Sequence, residues 1–207
     1  MPNSRHTWHN PLIYLLAFSC GFCIMAVELL GGRILAPYFG SSVHIWGSII
    51  TVFMLSLSVG YLLGGKLSTK QVSLKRYGII FILAGITVLP VALLSEPTMN
   101  LIFRNVEDTR YGSLLTSVAL FFIPTVILGM ISPYSVRLLI SDKNKSGQVA
   151  GVLYFVSTMG SALGTLITSF YLVLWFEVNT IIISVCSVLI ALGLIAIVLN
   201  SLEADYD

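Results

Sequence analysis

Six long apolar stretches, separated by short polar breaks, make up most of the chain. They cover about 11–36, 43–63, 74–94, 113–131, 149–174 and 178–199. Each is close to the roughly 20 residues a helix needs to cross a hydrocarbon core about 30 Å thick. At that length only a helix closes its own backbone hydrogen bonds in lipid, so all six are expected to be helical. Pro11 suits the first turn of the first span. The expectation is an all-α membrane protein of six transmembrane helices, a single polytopic domain over 1–207.

Composition supports that picture. Mean hydropathy is +0.95, and charged residues are only 10% of the 207, where a soluble domain carries about 25%. The net charge of +2 is too small to imply nucleic-acid binding. The first apolar run continues well past Cys20 with no cleavage signal, so it reads as a retained span rather than a leader. Cys20 and Cys23 lie inside that run and Cys186 inside the last. They read as small packing residues; the alternative, a Cys-x-x-Cys redox or metal pair, lacks a second pair or a nearby His.

The placement of charge sets an orientation. With the N-terminus inside, eight Lys and Arg fall on the inner side: Arg5, Lys66, Lys70, Lys75, Arg76, Arg137, Lys143 and Lys145. Three fall outside: Arg33, Arg104 and Arg110. The positive-inside rule therefore predicts both termini on the cytoplasmic side of the inner membrane.

Small residues mark the second and fifth spans. Ser56, Gly60 and Gly64 recur every four residues, as do Gly160, Gly164 and Thr168. This spacing lets helix backbones approach closely; a channel lining is the other reading. Pro90 and Pro124 are expected to bend the third and fourth spans. Pro37-Tyr38 closes the first span and Pro133-Tyr134 the fourth. Each is followed by a small-residue span and then a plain aliphatic one. Two inverted three-helix repeats, as in many transporters, and a mere recurrence of Pro-Tyr at helix ends both fit.

Glu28 is the one acidic residue well inside a span. An ionisable group there costs at least about 2.5 kcal/mol and marks a site by default. Three readings are open: a structural pair with Arg33, a cation or proton site near the outer mouth, or a lone protonated acid. Tyr38, His44 and Trp46 follow on the same side. They fit the interfacial aromatic belt and equally an aromatic lid over an amine cation. There is no phosphate-binding loop, catalytic triad or metal-ligand motif. Neither an enzyme in its own right nor a resident cofactor or metal is expected.

The run from Glu28 through Gly31, Arg33, Ala36-Pro37-Tyr38 and Gly40-Ser41 to Trp46-Gly47 resembles the opening motif of one known family. It is the membrane domain of membrane-bound spermidine synthase-like proteins, the fused MFS/spermidine synthases. The resemblance continues through Gly60-Tyr61, Gly64-Gly65-Lys66, the stretch from Pro133-Tyr134 to Arg137, and Gly147 to Thr165. It implies an MFS-like half-transporter fold. Fused members carry a soluble aminopropyltransferase domain, and this sequence ends at Asp207 after the sixth span, so polyamine synthesis is not carried over. Two functions follow as expectations. One is a transporter-like protein, as a homodimer, that moves or senses a cationic metabolite such as spermidine, with Glu28, Arg33, Tyr38 and Trp46 at the substrate. The other is a membrane anchor for a separately encoded aminopropyltransferase, docked on the basic segments Lys66 to Arg76 and Arg137 to Lys145.

Overall fold

A computed structural model of the chain describes residues 9–69, 72–140 and 145–204. Arg5, Lys70 and Lys143, which enter the charge pattern above, lie outside the described residues. Helix α1 spans His9–Phe39, α2 Val43–Leu67, α3 Leu74–Asn105 and α4 Thr109–Leu139. The fifth span is α5 (Ser146–Ile167), a π-helical turn (Thr168–Leu172) and a short α6 (Val173–Trp175); α7 (Val178–Ala204) is the sixth. All six spans are long and apolar enough to cross a membrane. The protein is therefore an all-α, multi-pass membrane protein.

The helices overrun the apolar stretches. Helix α3 continues through Glu96 and Pro97 to Asn105, and α4 starts at Thr109 and reaches Leu139. Hydropathy marks the hydrocarbon boundary, but nothing forces a helix to stop there. At 1.5 Å per residue α3 is about 48 Å long, enough to pass through the headgroups. Pro90, Pro97, Pro124 and Pro133 all sit inside continuous helices. Caps fix the ends instead. The Ser73 hydroxyl accepts from the Arg76 N–H at 3.2 Å, and Asp108 accepts from the Arg110 N–H at 2.9 Å. Gly40, at φ +85°, ends α1 in the left-handed conformation that only glycine adopts freely.

Consecutive spans alternate in direction, and the tightest seams join both parallel and antiparallel pairs. Gly60 and Gly64 of α2 meet Val126 and Met130 of α4, both numbers rising together, so this pair is parallel. Gly160 and Gly164 of α5 meet Phe18 and Phe22 of α1 in the same sense. In α3 and α7, Gly78 meets Gly193 and Gly85 meets Cys186, so that pair is antiparallel. At each of these glycines an added Cβ would strike a facing backbone carbonyl, so the seams depend on its absence.

The two parallel seams share one register. Val126 and Phe18 are 108 positions apart, as are Met130 and Phe22, and Gly129 and Gly21; their partners Gly60 and Gly160, Gly64 and Gly164, Leu57 and Ser157 are each 100 apart. The Pro-Tyr pairs do not follow that register. Tyr38 joins Phe39 and Phe103 near the end of α3, with the Tyr38 and Phe103 rings 6.0 Å apart. Tyr134 stacks on Tyr77 at 5.8 Å and its hydroxyl accepts from the Ser73 N–H. Beside it, Tyr77 and Ser135 share a hydrogen bond of 2.5 Å. Pro133-Tyr134 thus ties the α2–α3 connection to the end of α4.

Candidate functional site

The site is built on α1. At 100° per residue, Gly21, Glu28 and Gly32 fall within about 40° of one another, on one stripe. Helix α5 crosses the lower part of that stripe, where Gly21 faces Ser157 and Ser161. Helix α2 crosses the upper part, where the Trp46 ring lies on Gly32. Glu28 stands between the two crossings, one turn below the Trp46 contact, and is half-buried. Among the described residues it has neither a hydrogen bond nor an ion pair.

The α5 wall beside it is polar. The Ser161 hydroxyl reaches the carbonyls of Gly21 and Ser157, both at 3.2 Å. Thr165 donates to the Ser161 carbonyl at 2.9 Å. Thr168 is fully buried and its hydroxyl has no partner among the described residues. It follows Gly164, whose neighbour is Phe22, by one turn, and the π-helical turn it opens packs on α1. That places Thr168 level with the stretch of α1 that carries Glu28. A buried hydroxyl without a partner costs about 1–3 kcal/mol and calls for an explanation, and π-helical turns are frequent at functional sites.

Arg33 does not serve Glu28. Five residues further on, it projects about 140° around the helix from the carboxylate. Its Nη1 donates to the Val173 carbonyl at 3.4 Å, at the C-terminal end of the fifth span. Orphan carbonyls at a helix C-terminus favour a cation there. Tyr38 is turned to the Phe39–Phe103 cluster. His44 is exposed, beside the Ser42 hydroxyl. Of Glu28, Arg33, Tyr38 and Trp46, the fold brings Glu28 and Trp46 to one stripe and directs the other two elsewhere. Sequence reasoning placed Thr168 among the packing residues and missed its unpartnered hydroxyl. The only signal available was the density of hydroxyls beside the glycines of span five.

Ser56 is buried and bonds within its own helix, to the Val52 carbonyl at 2.6 Å. Cys20, Cys23 and Cys186 are buried free thiols, and Cys20 points its sulfur at the Leu128 carbonyl of α4, 3.6 Å away. Just before α4, Asp108 holds Arg110 through two oxygens, at 2.8 Å for the closest contact. Those bonds keep the Asp108 carboxyl below the usual carboxylate range. Compared with known proteins, the chain matches no family model, no curated relative and no solved structure.

Proposed function

We propose that the chain is a membrane transporter-like protein that takes a cationic metabolite at Glu28. The observation that carries this reading is the unpartnered, half-buried Glu28 between two helix crossings. An acid at that depth is expensive unless something of opposite charge shares the site. A primary or secondary ammonium supplies both the charge and the N–H donors. The Thr168 hydroxyl offers a further acceptor, and Trp46 an aromatic face for cation–π contact. The choice of a polyamine such as spermidine rests on the family resemblance of the Glu28–Trp46 block.

The shared register of the two parallel seams supports reading the chain as two three-helix units of opposite orientation, α1 to α3 and α4 to α7, with a site on the first helix of one unit. The Lys and Arg pattern supports cytoplasmic termini in an inner membrane. On this reading the protein performs no catalysis, and two copies face each other to complete the path.

The test is flux of labelled spermidine into proteoliposomes. Wild type should exceed empty vesicles, and Glu28→Gln should fall to their level while inserting normally. Equal flux in wild-type and empty vesicles defeats the proposal.

A further inference from the structure

Helices α2 and α3 both pack on α4 but barely on each other. The gap between them is an apolar groove of about 250 Å³ near their basic ends. Ile127 and Met130 of α4 form its floor, Leu67 closes one side, and Ile79 and Leu83 form the rim of α3. Ile79 and Leu83 are 41% and 46% exposed, so the groove opens sideways into hydrocarbon rather than toward water. Its volume lies below the 300–1,000 Å³ typical of pockets that enclose a whole small molecule.

Basic residues stand at one end of this apolar lining. Arg76 contributes to its lining, with exposed Lys75 beside it in sequence and exposed Lys66 one residue before Leu67. Arg76 to Leu83 is seven residues of helix, so the groove runs roughly 10 Å inward from those cations. Of the described residues, Arg137 and Lys145 stand at the same end of the bundle, at the finish of α4 and just before α5.

We infer that this groove is a binding site for one anionic diacyl phospholipid. One acyl chain lies along Ile79 and Leu83 over Ile127 and Met130, and the phosphate lies among Arg76, Lys75 and Lys66. Two features select this occupant: a lateral opening that lipid alone faces, and a cationic end matched to an anionic headgroup. Basic pockets between membrane helices bind such headgroups by the same combination. The inference requires only that the bundle sits in a bilayer, and it stands apart from the reading of Glu28.

The experiment is native mass spectrometry of the full chain in mild detergent, titrated with phosphatidylglycerol, chain-matched phosphatidylcholine or inorganic phosphate. The first phosphatidylglycerol should bind at least about fivefold tighter than phosphatidylcholine, the worth of one basic residue near a surface. Arg76→Gln should weaken phosphatidylglycerol by about fivefold and leave phosphatidylcholine unchanged. Ile79→Trp, which fills the groove, should weaken both lipids; Leu83→Trp fills its deeper end and replaces it if the first variant is not monodisperse. Inorganic phosphate should not displace the lipid. Equal affinity for the two lipids, indifference to Arg76→Gln, retention of lipid by the filled groove, or displacement by phosphate alone would each overturn the inference.

Discussion

The α2–α4 and α1–α5 seams share one geometry and differ in chemistry. In each, two glycines four apart press on the backbone of a parallel neighbour, and a glycine of that neighbour presses back. In the register that superposes them, the position matching Glu28 is Val136, and the stretch matching the π-helical turn falls just past the end of α2. The first seam ends where its helix ends. The second continues through Thr168, with its unpartnered hydroxyl, and is closed by Arg33 on the Val173 carbonyl. Close packing is therefore the shared framework; buried hydroxyls without a partner occur on both sides of it, at Ser117 and Thr125 of α4 and at Thr168, while an acid stands beside one side alone, at Glu28.

Filling either seam should have the largest effect. Gly60→Leu and Gly160→Leu should each destabilise the bundle by about 3 kcal/mol, the upper part of the range for overpacking. The loss should appear as reduced monodisperse yield and a lower melting temperature in detergent. Gly65 and Gly151 have open space where a Cβ would be. Gly65→Ala and Gly151→Ala should therefore be neutral or gain up to about 1 kcal/mol from helix propensity. Equal tolerance at Gly60 and Gly65 would remove the basis of the shared register.

The next test separates the seams. Glu28→Gln should abolish spermidine flux at near-normal membrane abundance, because no partner is stranded when the charge goes. Val136→Gln should leave flux at the wild-type level. Arg33→Leu should lower stability by at most about 1 kcal/mol, the value of a cation at an exposed helix C-terminus. Its effect should add to that of Glu28→Gln within about 0.5 kcal/mol, since the two side chains share no partner. Thermal unfolding of wild type, Glu28→Gln, Arg33→Leu and the double variant checks this, and recovery of stability in the double variant would show that the two residues are coupled after all.

The number and type of spans were legible because lipid leaves a single solution for long apolar runs. Helix ends were less so, since hydropathy registers the solvent boundary while Ser73, Asp108 and Gly40 decide where the backbone stops. Glu28 was found because an acid inside an apolar run has no inconspicuous explanation. Its separation from Arg33 was not legible: a spacing of five leaves both faces open until the Val173 carbonyl is placed nearby. Spacing alone left open whether Pro37-Tyr38 and Pro133-Tyr134 are equivalents; the backbone contacts follow a different register, set by glycines.

The smallest expected effect concerns the turn before α4. Asp108 caps that helix and holds Arg110, so Asp108→Ala should reduce stability slightly and leave flux unchanged. The carboxyl titrates below its ordinary value because it is hydrogen-bonded while ionised. Its contribution is thus present at neutral pH and lost as pH falls through the lowered value. Melting temperatures of wild type and Asp108→Ala should converge in acid.

On the proposed function, Glu28 is an unpaired acid that receives an ammonium. Equilibrium binding of labelled spermidine to purified protein tests it most directly. Wild type should bind, Arg33→Leu should bind nearly as well, and Glu28→Gln should lose at least about tenfold, the loss of one charge-assisted contact at about 1.5 kcal/mol or more. Undiminished binding by Glu28→Gln, or equal losses from Glu28→Gln and Arg33→Leu, would contradict it.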